Sequence, residues 1–318
     1  MKYKKVGLVL GGGGAKGAYQ VGVYKALYEN NLTEDISILC GTSIGAINCV
    51  LFTLDDIDKI CHVWENLNKD KVLTKKKLSE YFDLKKLKNI SIYSRQGFLN
   101  LLNDNIDLEE LSKLDKDIYV VVTPIRNQFA QTVFRLNGQT PEMIRDVLLA
   151  TSAIPGVFEA VKINGVYYMD GYRISNVPTQ IALTKGCDLV YVVPLGKKDN
   201  PDVNSYPNST IINFKHPSFD DLSFTSGTLG FDPKLIEERI ELGYQSANAL
   251  INYLRSIGVI RVTRKEKFYH FVKRMVYGKK YLSRIKKYYS LEDIGIYRVA
   301  PSKDKPELSE EEVYGEDN

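Results

Sequence analysis

As far as residue 200, the apolar and polar positions of the chain alternate between two rhythms. Short, largely apolar runs at Val6 to Leu10, Ile36 to Cys40, Ile118 to Thr123 and Leu189 to Val193 have the length and β-branched content of strands buried on both faces. Between them the spacing becomes helical. Tyr19, Val23, Ala26 and Leu27 recur at intervals of three or four, with Asn30-Asn31 as a stop, and Ile44 to Phe52 is apolar almost throughout, as in a helix buried beneath a sheet. Thr140 before Pro141 reads as a cap and first helical residue, opening a helix to about Thr151. Asn164-Gly165, between Val161–Ile163 and Val166–Met169, is a preferred two-residue hairpin turn. Strands alternating with helices predict an α/β fold, its sheet covered on both faces.

Three stretches break this rhythm. Residues 65–115 are lysine-rich and partly helical, with Leu84, Leu87, Leu101, Leu102, Leu108 and Leu111 as packing points; they read either as a lid or as a solvated connection. Residues 197–230, rich in Pro, Ser, Asn and Asp, read as an irregular connection. Pro233 to Arg255 carries Leu235, Ile236, Ile240, Ala247, Leu250 and Ile251 at helical spacing. The expected division is a catalytic domain over 5–200, a connection over 201–232 and a helical appendage over 233–318.

Composition narrows the classes. A chain of 318 residues, 44% hydrophobic, can bury a full core. No apolar stretch approaches the ~20 residues that span a bilayer. The basic start, Met1 to Lys5, is followed by only five apolar residues before glycines, which does not make a signal peptide; the expectation is a cytoplasmic chain. Cys40, Cys49, Cys61 and Cys187 show no C-x-x-C spacing, so neither a zinc site nor a disulfide framework is expected. The net charge of +4 hides a polarised C-terminal third. Residues 261–287 hold eleven Lys or Arg against Glu266, interleaved with Phe268, Tyr269, Phe271, Tyr277 and Tyr281; residues 301–318 hold seven acids against two lysines. The basic segment reads as a peripheral membrane contact or as a solvated face paired with the acidic tail. Such a segment also suits nucleic acid, but no nucleic-acid partner is expected.

The candidate chemistry lies in two glycine-framed turns, Gly12-Gly13-Gly14-Ala15-Lys16-Gly17 and Gly41-Thr42-Ser43-Ile44-Gly45, each directly after a predicted strand. In a Gly-x-Ser-x-Gly elbow the serine sits on a tight strand-to-helix turn with its hydroxyl exposed at the mouth of the sheet. The glycine run Gly11 to Gly14 ahead of a helix offers backbone N–H groups to an oxyanion. The best candidate base is Asp170, at the end of the second hairpin strand and before Gly171.

With these features, and with Thr151-Ser152-Ala153-Ile154-Pro155-Gly156-Val157-Phe158 and Asn176-Val177-Pro178, the chain resembles the patatin-like phospholipase family over about residues 5–195. The resemblance implies a three-layer α/β/α sandwich with a central, mostly parallel sheet, here with the helical C-terminal appendage. It also implies a serine esterase of lipids that works through a Ser–Asp dyad with no histidine, no metal and no cofactor, on phospholipid or related acyl esters. Carried over by position, Ser43 is the nucleophile, Asp170 the base, the amides of Gly12, Gly13 and Gly14 the oxyanion hole, and Lys16 a substrate-binding position where the family has Arg or Lys. One departure is Tyr172, where the family continues Asp-Gly with Gly or Ala; its ring is expected to narrow the acyl pocket or reshape the backbone after Asp170.

Four rival readings stay open. Gly12-x-Gly14-x-x-Gly17 also fits a dinucleotide-binding oxidoreductase, but the second strand ends in Cys40 rather than in an acid for the ribose. A Ser–Asp–His triad in the order Ser43, Asp170, then His216 or His270 is possible, although the elbow comes early for that fold. A catalytically silent lipid-binding protein on the same fold is the third, and a transacylase sharing the dyad the fourth.

Overall fold

The computed structural model describes residues 3–72, 74–75, 93–94, 96–127, 129–196, 205–206, 208–220, 222–260 and 288–294. Nine strands form one sheet: β1 (Val6–Leu10), β2 (Ile36–Thr42), β3 (Asp117–Pro124), β4 (Thr132–Arg135), β5 (Val161–Ile163), β6 (Val166–Asp170), β7 (Leu189–Val193), β8 (Thr210–Asn213) and β9 (Tyr288–Ser290). The order is β9-β8-β7-β1-β2-β3-β6-β5, with β4 also on β3. The first five neighbour pairs are parallel, and β4, β6 and β5 add an antiparallel corner. The chain leaves β1 in one direction to form β2 and returns on its other flank as β7, so the sheet reverses its order beside β1. In open α/β sheets, ligands sit at such a reversal, outside the carboxyl ends of the strands.

The main helices are α1 (Ala18–Glu29), α2 (Ile44–Leu51), α3 (Ile57–Glu65), α4 (Pro141–Thr151), α5 (Thr179–Thr184) and α6 (Pro233–Ser256). Alternation within the buried run of β1 sends Val6, Leu8 and Leu10 into the larger core with α1, α2, α4 and α6, and Val9 into a smaller core with α5. That makes the three layers. The Asn164-Gly165 turn has both residues at positive φ, 47° and 83°, as a type I′ hairpin requires. Thr140 caps α4 by accepting from the Met143 amide, and Asp232 caps α6 ahead of Pro233.

The sheet does not stop at residue 200. β8 lies within the stretch read as an irregular connection, because a four-residue strand among turn residues is too short for its period to stand out. β9, from beyond the basic segment, pairs with β8. The long helix α6 was expected over Pro233 to Arg255 and packs tightly against α1. A Cβ on Gly22 would lie 1.9 Å from the Ile240 carbonyl oxygen, and one on Gly243 would lie 2.2 Å from that of Tyr19; only glycine lets the two backbones approach so closely. Of residues 65–115, the described parts include a ribbon, Thr74–Lys75 with Tyr93–Ser94, and helices at Gln96–Asn105 and Leu108–Ser112. Of that stretch, residues 73, 76–92 and 95, with Leu84 and Leu87, lie outside the described residues, as do the basic segment 261–287, His270 and the acidic tail. No helix among the described residues is long and apolar enough to cross a membrane.

Candidate active site

Strand register brings the predicted residues together. Thr42 lies opposite Val121, and Val122 lies opposite Asp170, so Ser43 and Asp170 emerge at the same level of the sheet, one on each side of β3. The Ser43 hydroxyl donates to Asp170 Oδ2 at 2.6 Å, across 127 residues of sequence. Both are buried, at 5% and 2% exposure. Burial pushes the Asp170 carboxyl up to about 7, opposed in part by hydrogen bonds from Ser43 and from the Tyr172 amide. That amide reaches Asp170 Oδ1 at 2.9 Å, so Tyr172 does not pull the backbone away from the carboxylate. Tyr172 itself is 46% exposed.

The elbow is strained and braced. Ser43 has φ 55° and ψ −129°; the other non-glycine residues at positive φ among the described residues are Asn or Asp, which tolerate it far better than serine. A Cβ on Gly45 would stand 2.2 Å from the Leu10 carbonyl oxygen, and one on Gly41 2.5 Å from the Ala46 amide nitrogen. Hydrogen bonds hold the turn against its strain. The Ser43 amide donates to Thr151 Oγ1 at 2.8 Å, and the Thr151 hydroxyl donates onward to the Val121 carbonyl at 2.7 Å. Thr151→Val keeps the shape and strands both partners, and the expected loss of stability is about 1–3 kcal/mol, read by chemical denaturation.

A second brace holds the glycine loop. The buried Gln20 amide donates to the carbonyls of Gly11 and Val193, Asn48 donates to Gly17 and to Gln20, and the Trp64 indole donates to Asn48. Lys16 Nζ donates to the Leu195 carbonyl at 2.5 Å, tying the loop to the turn after β7. The three predicted oxyanion glycines are not equivalent. The Gly12 amide donates to the Asn176 carbonyl, and Asn176 Nδ2 returns a bond to the Gly12 carbonyl, each at 3.2 Å. Gly13 and Gly14 have no such partner for their amides among the described residues. Because a carbonyl can only accept, Asn176 must turn Nδ2 toward Gly12, which leaves its Oδ1 buried without a donor.

Thr151, Gln20, Asn48, Trp64 and Asn176 had no assigned role in the sequence. The available signal was a lone Gln or Asn inside an apolar helical run. Ser152, the competing serine, donates to the Leu148 and Leu149 carbonyls and makes no bond to the site. Neither described histidine reaches it. His62 bonds with Asn66. His216 is fully buried against Tyr19 and Phe219, its Nδ1 on Ser218, and burial pushes it down to about 4. Among the described residues, no group of three His, Cys, Asp or Glu could hold a metal ion. What the pair Ser43 and Asp170 can do is pass a proton from a hydroxyl to a carboxylate shielded from bulk water.

The chain is similar to several known proteins. Patatin-like phospholipase domain-containing protein 7 of Rattus norvegicus is 26% identical over 205 residues, covering 63% of this chain and 14% of the relative. Lysophospholipase NTE1 of Kluyveromyces lactis is 25% identical over 286 residues, covering 81% of this chain and 17% of that protein. The chain thus spans less than a fifth of the length of these relatives. The crystal structure of VipD from Legionella pneumophila aligns with TM-score 0.43 and 16% identity, over 92% of this chain and 80% of that one. The sequence pattern of the family described as Patatin-like phospholipase matches residues 8–183, more than half the chain, enclosing the glycine loop, Ser43, Thr151, Asp170 and Asn176; the chain belongs to the patatin-like phospholipase family.

Proposed function

We propose that this protein is a serine acyl hydrolase of lipid esters, with Ser43 as nucleophile, Asp170 as general base and glycine-loop amides as the oxyanion hole. The observation that carries the reading is the 2.6 Å hydrogen bond from Ser43 to a buried carboxylate. An ordinary aspartate, with a pKa of about 3.9, is too weak a base for a serine hydroxyl near neutral pH; a desolvated one is better matched. Asp170 takes the proton as Ser43 Oγ attacks the ester carbonyl, and returns it to the leaving alcohol. Water then attacks the acyl-enzyme, with Asp170 again accepting and releasing the proton. The amides of Gly13 and Gly14 are the free donors for the oxyanion, and Gly12, clasped by Asn176, keeps the loop in place. Lys16 serves the substrate through the loop it fastens. Lipid enters the proposal through the family and through the relatives named as lysophospholipases.

The reading predicts a pH profile. The reactive form is the ionised carboxylate, so kcat/KM for an uncharged soluble ester is expected to rise with pH, inflect near 7 and level off above it, losing about tenfold per pH unit on the acid side. An inflection near 4 would mean that the base is a solvated acid, and would remove Asp170 from the role.

The triad reading finds no support in the bonds of His62 or His216. The experiment that tests the proposal is hydrolysis of p-nitrophenyl butyrate by the wild type, Ser43→Ala and Asp170→Asn. An inert wild type brings forward the silent lipid-binding reading.

A further inference from the structure

The antiparallel corner beside the site carries exposed apolar side chains where a soluble surface would carry polar ones. Phe129, at the turn between β3 and β4, is 92% exposed; Val166 and Tyr167, at the hairpin tip, are 39% and 45% exposed. Their placement follows from register. β3 ends at Pro124, opposite Tyr168, so Val166 and Tyr167 stand beyond the last residue of β3, at the carboxyl end of the parallel strands. The 125–127 turn leaves Pro124 at this same end and packs on β6. Asp170 is four residues further along β6, which puts the tip about 13 Å outward of it along the strand.

Along the two stretches that carry these side chains, the exposed charge is of one sign. Residues 125–131 and 161–176 hold Arg126, Lys162 and Arg173, all exposed, and their sole acid is the buried Asp170. Lys162 Nζ lies 5.8 Å from the centre of the Tyr167 ring, so a cation and an aromatic ring form one amphipathic unit at the tip. Exposed aromatic rings with cations on the same stretches suit the headgroup layer of an anionic bilayer, where rings enter the interface and cations meet phosphate. We infer that the 125–127 turn with Phe129 and the 163–167 hairpin tip form a docking surface for an anionic phospholipid bilayer, seating on the lipid the end of the sheet that carries Ser43 and Asp170. The inference takes its substrate from the lipid-hydrolase reading, but it is tested by binding.

The test uses the full chain and vesicles of phosphatidylcholine with phosphatidylglycerol, comparing the wild type with F129S/Y167S and R126Q/R173Q. All four positions are exposed, and a shared melting temperature verifies the fold. The wild type is expected to co-sediment. F129S/Y167S should bind at least about tenfold more weakly and lose vesicle-phospholipid hydrolysis in proportion, while keeping its rate on p-nitrophenyl butyrate. R126Q/R173Q should lose the preference for anionic over neutral vesicles. A wild type that stays in the supernatant, or an F129S/Y167S protein that sediments as the wild type does, overturns the inference. So does a wild-type dimer that the aromatic variant breaks, since the face would then serve a second copy of the chain. Binding without ester hydrolysis would fail the hydrolase reading alone, and soluble ester hydrolysis without binding would fail the docking surface alone.

Discussion

Ser43→Ala is expected to lower kcat/KM for p-nitrophenyl butyrate by on the order of 10⁴-fold or more while the protein remains folded, because the variant deletes the attacking atom and nothing that braces the elbow. Asp170→Asn should fall by about 10³–10⁴-fold. The amide can still accept from Tyr172, but it can no longer take a proton. His216→Gln, which keeps most of the imidazole volume, should retain activity, since His216 bonds with Ser218 and has no bond to either residue. Loss of activity in that variant with the fold intact would restore the triad. Asp170→Asn has a second signature, in stability. The folded-state pKa of Asp170 is raised above its unfolded value, so the wild type is most stable below about pH 4 as far as this group is concerned, and it loses that contribution as pH rises through about 7. Asparagine carries no such cost, and at pH 8 the inactive variant should melt above the wild type. A variant that melts lower at pH 8 would mean that the carboxylate is not buried at a cost.

The second large effect is expected at Gly45→Ala, where a single methyl group should cost several kcal/mol and lower the melting temperature by roughly 10 °C or prevent folding. The new Cβ would stand 2.2 Å from the Leu10 carbonyl oxygen and 2.7 Å from that of Gly11. Neither atom belongs to a side chain that can swing aside. Relief would require β1 and the start of α2 to separate, which would misplace the elbow and the glycine loop together. Activity and stability should therefore fall in parallel, unlike at Ser43, where they separate. A Gly45→Ala protein with wild-type melting and turnover would show that the elbow does not need this close packing. Gly165→Ala is an informative contrast. There the added Cβ meets nothing within 4 Å, and the expected cost is only that of holding alanine at φ 83°.

Much of this site was legible because it is built from local chemistry. The apolar runs, the two glycine frames, the Thr140-Pro141 helix start and the Asn164-Gly165 turn each declare themselves within a few residues, since backbone sterics act at that range. Asp170 was legible as a strand end, and its pairing with Ser43 came through the family resemblance, because no periodicity reports a contact across 127 residues. The braces were not legible. Thr151 reads as the last residue of a helix, and Gln20 and Asn48 read as blemishes on apolar helices, until the third dimension supplies the carbonyls they serve. Nor was the clasp on Gly12: Asn176 stood in one of the motifs of the family, but nothing in the sequence says that its carbonyl takes one of the three glycine amides. The reach of the sheet past residue 200 was hidden for a similar reason. β8 and β9 are four and three residues long, and such short strands are defined by the neighbour they pair with.

That reach bears on how the family can be cut and recombined. The stretch that identifies the family ends at residue 183, yet β1, from which the glycine loop springs, is paired on one flank by β7 at 189–193. The Gly11 amide is held by Val193, the Tyr19 hydroxyl by the Phe214 carbonyl, and α1 is roofed by α6. A chain ended at the edge of the recognisable motif would leave its central strand as a bare margin and its glycine loop tethered on one side only. In this chain the stretch that carries the family's signature is shorter than the sheet it belongs to, so a fragment cut at the signature is expected to lose the strands and carbonyls that hold β1 and the glycine loop.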